Sequence, residues 1–297
     1  MCIRDSHNDA LQYANPNWNA KFYDAIADNV PNYVPSAGRG EWTTDLKIQK
    51  EYEGQFKNAL AVLSATGMDF QDNAADTKAY QYWANLTAAQ NGKLYGTIPR
   101  VKAGTYRLTV YADGIFGNFV QDNIVITAGK TTKTTATWKP ESNGKELWRI
   151  GTPDKSSGEC KHGYALDTSK PRQPEQYRIY WAVYDYPTEF PNGIKFKVGE
   201  SKEAEDFNYV HWSSFGGKAN WLRNTTFVSE TVNNWTIEFD LNDKDLKSQK
   251  TATFTIQLAG AKTAAGNTDV YNATEPWSNL PLTVVVNDNQ LEPWVIP

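Results

Sequence analysis

Apolar residues in this chain recur mainly at every second position, the period of a strand with one covered face. The clearest case is 105–112, where Tyr106, Leu108, Val110 and Ala112 share one side and Thr105, Arg107, Thr109 and Tyr111 the other. Positions 234–241 group Trp235, Ile237, Phe239 and Leu241, and 251–258 group Ala252, Phe254, Ile256 and Leu258. Shorter runs at 41–49, 61–63, 79–84, 121–127, 131–138, 177–184, 194–198, 209–212 and 280–286 add further strands. Helical spacing is confined to 8–29, through Leu11, Tyr13 and Ala14 and then Phe22, Tyr23, Ala25 and Ile26, with a break at Pro16. A polar bridge at 242–249 fits a single helical turn. The pattern predicts an all-β protein.

Turn residues divide these strands into pieces. The opening MCIRDS, residues 1–6, has no apolar core and no cleavage site, and is expected to be a non-native leader. Residues 7–58 hold too little periodic apolar sequence for a core of their own and are expected to pack on something else. Residues 59–140 read as a small antiparallel sandwich, punctuated by Lys102-Ala103-Gly104 and Ala128-Gly129-Lys130. Residues 141–297 read as a longer two-sheet jelly roll whose last apolar residues, Trp294-Val295-Ile296-Pro297, are expected to be cut inside a strand. The third piece opens on KELWRIGTPDKSSGE, residues 145–159, predicted to start as a strand and to break at Gly151-Thr152-Pro153-Asp154.

Composition narrows the function. A formal charge of −4, with no basic stripe, argues against nucleic acid and against an anionic membrane surface. No run of the 297 residues approaches a membrane span. With 11 Trp and 16 Tyr the chain is rich in rings that suit sheet cores, and that also stack on the C–H faces of sugars. The candidates for carbohydrate contact are Trp148, Arg149, Arg178, Tyr180, Trp181, Trp212 and Trp221, the arginines suiting carboxylates or hydroxyls. Sequons stand at Asn85, Asn224, Asn234 and Asn272. The three histidines, His7, His162 and His211, have no metal spacing, and Asp72 and Asp76 have no fixed separation. The acidic residues Glu200, Glu203, Glu205 and Asp206 read as a solvated face. Cys2 and Cys160 are not expected to pair, which leaves Cys160 a reduced thiol. No catalytic set and no metal site is read from the residues. No cofactor is expected, and a structural calcium ion stays open.

The strings FQDNAADTKAYQYWA, RVKAGTYRLTVYADGIFGNFVQDN, LWRIGTPDKSSGE, QYRIYWAVYDYPTEFPNGIKFKVG and TATFTIQLAGAKTAAGNTDVYNA resemble, in order, fungal rhamnogalacturonan lyases of polysaccharide lyase family 4. The resemblance implies that 7–58 is the end of a large catalytic β-sandwich. It implies a fibronectin-III-like domain over 59–140, and a carbohydrate-binding-like jelly roll over 141–297 that lacks its closing strands. It also implies a secreted, monomeric endolyase of pectic rhamnogalacturonan I, cutting between rhamnose and galacturonate by β-elimination. In that reaction a base takes the uronate C5 proton while cationic groups neutralise the carboxylate. The family's catalytic Lys and His lie in the large N-terminal sandwich. No residue here sits in a matching motif, so none is assigned, and the chain itself is expected to be inactive. The alternative is a set of non-catalytic carbohydrate-binding or bracing modules.

Overall fold

A computed structural model describes residues 19–52, 58–67, 81–89, 92–153, 157–161, 163, 186, 188–209, 234–246, 249–258 and 280–296. The chain divides into two compact units, Met1–Pro140 and Glu141–Pro297. Among the described residues, no helix is long and apolar enough to cross a membrane.

The first unit begins with a short helix α1 (Ala20–Ala25) and then runs through seven strands. These are β1 (Arg39–Ile48), β2 (Ala59–Ala65), β3 (Tyr82–Ala88), β4 (Lys93–Lys102), β5 (Gly104–Ala112), β6 (Phe119–Ile126) and β7 (Thr131–Trp138). They hydrogen-bond in the order β6-β5-β2-β3-β4-β1-β7. The strand β3 changes partner along its length, pairing with β2 over its first five residues and with β4 at Thr87 and Ala88. All seven strands feed one core, including Trp42, Leu46, Leu63, Leu86, Leu94, Leu108, Ile126 and Trp138. The two end strands of the order approach each other, since Thr132 on β7 donates its hydroxyl to the Val125 carbonyl of β6 at 2.8 Å. The sheet is therefore rolled around its apolar face.

The strand β1 alternates buried and half-buried residues along its length. It lies antiparallel to β4 and parallel to β7. Residues 41–49, expected to belong with 7–58, form a strand bonded on both sides to strands of the 59–140 piece. Trp42, fully buried, donates its indole N–H to the Thr134 hydroxyl at 2.9 Å, and the Thr44 hydroxyl donates to the Thr134 carbonyl at 3.2 Å. Gly40 is needed here, because a Cβ would overlap the Thr127 and Lys130 carbonyl oxygens.

Two bulges adjust the sheet. In β4 the pairs Gly40–Val101 and Trp42–Ile98 place Pro99 and Arg100 opposite one residue of β1, with Arg100 at φ 58°. In β6 the pairs Tyr106–Ile124 and Leu108–Gln121 place Asp122 and Asn123 opposite Arg107, with Asn123 at φ 63°. That second bulge presents Asp122 to Arg107 as a two-pronged pair, Nε at 2.9 Å and Nη2 at 2.8 Å. Asp122 also accepts from the Gly67 amide and the Thr66 hydroxyl at the turn after β2. The Arg107 guanidinium, with these further donors, holds the Asp122 carboxyl well below the usual carboxylate range.

The second unit has a parallel pair, β8 (Ile194–Lys197) with β9 (Trp235–Glu238). It also has single helical turns α2 (Glu203–Asp206) and α3 (Asp243–Leu246) and two short antiparallel pairs. β10 (Leu280–Leu282) pairs with β13 (Trp294–Ile296), and β11 (Val285–Val286) with β12 (Asn289–Gln290). The last pair turns through Asn287 and Asp288, both at positive φ, the two-residue geometry that matches strand twist. Tyr186, Phe190, Ile194 and Phe196 form the core, with Ile150, Val198, Phe207 and Trp235 against it.

Several expected strands differ here. Residues 145–150 are not extended into a ladder, 251–258 carry no strand, and 280–286 breaks into two short strands. Of 234–241 only four residues pair, and Phe239, Leu241, Phe254, Ile256 and Leu258 are 36–46% exposed. Alternation marks an apolar row, but a strand also needs a neighbour to satisfy its N–H and C=O groups. Among the described residues none pairs with 251–258. The expected strands at 177–184 and 209–212 lie wholly or almost wholly outside the described residues.

Two measurements test the first unit. Thr134→Val leaves the buried Trp42 N–H unpaired and is expected to cost about 1–3 kcal/mol. Thr135→Val, on the exposed side of the same strand, should change stability by less than about 0.5 kcal/mol. Urea unfolding of both variants checks the contrast. For Asp122, the folded carboxyl titrates below its unfolded value near 4, so its contribution is complete above about pH 4 and is lost as pH falls toward the folded pKa. Between pH 7 and pH 3 the full chain should lose more melting temperature than Asp122→Asn does.

Candidate functional site

Of the seven residues proposed for carbohydrate contact, the structure describes Trp148 and Arg149. Arg178, Tyr180, Trp181, Trp212 and Trp221 lie outside the described residues, as do His7, His162, His211, Asp72, Asp76 and Cys2. Trp148 is half-buried, its ring 5.0 Å from Phe239 and 6.0 Å from Phe254. These three rings form a patch that is part anchor and part exposed surface. Arg149 is exposed and bonded to Glu146 through Nε at 3.0 Å and Nη2 at 2.7 Å. A sugar carboxylate would have to displace Glu146 to reach it.

The segment that carries this pair is held by its turn. Gly151, at φ 77°, donates its amide to Glu203 Oε1 at 2.7 Å, and the Thr152 amide donates to Glu159. Glu203 thus leaves the solvated face that the sequence suggests and fixes the entrance of the unit. Its neighbours do remain at the surface: Lys202 pairs with Glu205 at 3.0 Å, and Lys197 with Glu200 at 2.5 Å. The hydrogen bonds that Lys197 and Lys202 donate to Glu200 and Glu205 respectively raise the pKa of each lysine.

Beside this turn lies an open groove of about 310 Å³, lined by Lys161, Glu189, Phe190, Pro191, Asn192, Gly193, Lys195, Glu205 and Asp206. Its floor is built by the chain reversal before β8. Phe190 sends its ring into the core against Tyr186 at 5.2 Å, and Gly193, at φ 79°, turns back to bond the Phe190 carbonyl at 3.0 Å. Lys161 is set opposite by its amide, which bonds the Phe207 carbonyl at 2.9 Å. Its ammonium group sits 3.4 Å from Glu189 Oε1 and 5.4 Å from the Phe190 ring centre. Lys195, exposed on β8, and the carboxylates of Glu205 and Asp206 complete the lining. Beneath the floor, burial pushes the Tyr186 phenol up to about 12.

Ammonium donors and carboxylate acceptors in one open groove suit a polyhydroxylated ligand. Among the described residues no histidine or cysteine lines the groove, and no group of three or more His, Cys, Asp or Glu could hold a metal ion. Sequence reading missed Lys161, Glu189 and Lys195 because they converge from separate segments. The turn string PNG at 191–193 is the one local signal that a reversal places Glu189 and Lys195 together. Of the sequons, Asn85 and Asn234 are described and both are exposed, while Asn224 and Asn272 lie outside the described residues.

The family model "Polysaccharide lyase family 4, domain II" matches residues 53–134, and "Polysaccharide lyase family 4, domain III" matches residues 146–294. A protein of Aspergillus oryzae named "Probable rhamnogalacturonate lyase C" is 50% identical over 99% of this chain and 41% of its own length. "Rhamnogalacturonate lyase B" of Emericella nidulans is 51% identical over 97% of this chain and 42% of its own length. A second Emericella nidulans protein, "Probable rhamnogalacturonate lyase C", is 51% identical over 99% of this chain and 27% of its own length. The chain therefore spans about two fifths or less of these curated relatives. With both domain models matched in order, and the third covering residues 146–294, the chain belongs to polysaccharide lyase family 4.

Proposed function

We propose that this chain supplies the second and third domains of a secreted rhamnogalacturonan endolyase, and that its own part is to hold the pectic backbone rather than to cut it. The observation that carries the reading is the identity of about one half, over nearly the whole chain, to proteins named rhamnogalacturonate lyases. In this reading the whole enzyme cleaves between rhamnose and galacturonate by β-elimination, with the base and the charge-neutralising groups outside these two domains. The groove of Lys161, Lys195, Glu189 and Phe190 supports the binding half of the proposal. The Lys195 ammonium suits the galacturonate carboxylate, and the groove carboxylates suit sugar hydroxyls.

The test uses the full chain. Titration calorimetry with rhamnogalacturonan oligosaccharides should show weak binding, on the order of millimolar. Lys195→Ala should weaken it about tenfold, the equivalent of roughly 1.4 kcal/mol. A neutral oligosaccharide should bind the chain and the variant equally. In parallel, ultraviolet absorbance of the unsaturated product should stay at the buffer level. No heat at millimolar ligand would leave the domains as braces of the enzyme. Turnover abolished by mutating His162 or His211 would move the active site into this chain.

A further inference from the structure

Trp83 is the most exposed described tryptophan, 65% exposed in the middle of β3, on a strand whose other face is committed to the core through Leu86. Among the described residues of the first unit, no packing explains a large ring left in water at that position. Its sequence context does. Trp83, Asn85 and Thr87 are spaced by two residues along one strand, so all three project from the same face. All three are exposed, and the intervening Ala84 and Leu86 turn the other way. Asn85-Leu86-Thr87 is a sequon. The ring thus stands one pleat before the asparagine, and the hydroxyl one pleat after it. Successive outward residues of a strand lie about 7 Å apart, the reach of the first sugar attached at Asn85.

We propose that Trp83, Asn85 and Thr87 form an N-glycan site, in which the Trp83 indole is the platform for the first N-acetylglucosamine. In the transfer, the Asn85 Nδ2 attacks C1 of the N-acetylglucosamine of a polyprenyl-diphosphate oligosaccharide. The C1–O bond to diphosphate breaks, the amide gives up one proton, and the polyprenyl diphosphate leaves. The Thr87 hydroxyl is the group the transferring enzyme requires. Once attached, the sugar lays its C–H face on the indole and takes apolar ring surface out of water. The glycan is tied to a strand bonded to both β2 and β4, so that contact stabilises the folded sheet. No ring stands two residues before the other sequons, where Leu222, Val232 and Val270 precede Asn224, Asn234 and Asn272. At Asn234 the nearby Trp235 lies on the opposite side of its strand, its ring 4.9 Å from Phe207.

Occurrence of the modification in the native host rests on the proposed secretion, and the test removes that dependence. The full chain is directed through a yeast secretory pathway by a cleavable signal, trimmed to single N-acetylglucosamine residues, and mapped by glycopeptide mass spectrometry. Asn85 should be occupied. Thermal unfolding is then compared in four proteins: the parent, Trp83→Ala, Asn85→Gln and the double variant. Loss of the sugar through Asn85→Gln should lower the melting temperature on the order of 4 °C when Trp83 is present, and have almost no effect in the Trp83→Ala background. Enzymatic removal of the sugar provides the same comparison where a variant folds poorly. An unmodified Asn85, or an equal shift in both backgrounds, overturns the proposal.

Discussion

The first unit depends on one contact between strands far apart in sequence, the Trp42 indole hydrogen-bonded to the Thr134 hydroxyl. It joins β1 to β7, a parallel pair, and a parallel pair cannot be closed by a tight turn. All five other strands of the sheet lie between the two along the chain. The roll can therefore close only after the last strand is made, and this long-range pairing is the costly step in loop entropy. The bond also satisfies a polar group deep in an apolar core, where an orphan would cost most. Gly40 serves the same junction by letting the turn before β7 approach the start of β1.

How much of this could be read in advance follows from which constraints are local. The inward set Tyr106, Leu108, Val110 and Ala112 is found in the core as the alternation predicts, and β7 spans the predicted 131–138. The strand β4 escaped because its bulge moves the inward positions from the even series of Leu94 and Ile98 to the odd one at Val101. Pro99, which offers no N–H to a ladder, also interrupts the strand pattern there. The strand β1 was visible as a strand, but its partners lie 46 to 90 residues away and leave no trace in local periodicity.

The candidate site divides in the same way. Trp148 was legible as a ring at the entrance of the second unit, and it does pack on other rings. The occupation of Arg149 by Glu146 was not, because three residues of spacing bring the two together only in this turn conformation. Of the groove, only the Pro191-Asn192-Gly193 reversal left a local trace. Lys161, Glu189, Lys195 and Asp206 are each unremarkable in sequence, and only the reversal before β8 and the docking of Lys161 on Phe207 assemble them. Glu203 shows the opposite case, a residue of a charged run that is fixed by a backbone amide.

The bulge at Asp122 and Asn123 has a consequence for encounters between molecules. The strand β6 is the first in the sheet order, and among the described residues only β5 forms a ladder with it, while on its other side the Val125 carbonyl accepts from the Thr132 hydroxyl. A regular edge of eight residues would offer a straight row of amides and carbonyls to any passing extended chain. Here the row is interrupted, and on either side of the break the inward residues, Phe119 and then Ile124 and Ile126, fall in opposite series. A foreign strand aligned with one half is out of step with the other, so it finds at most three or four residues in register. Along this strand a single extra residue limits how far a second copy could pair.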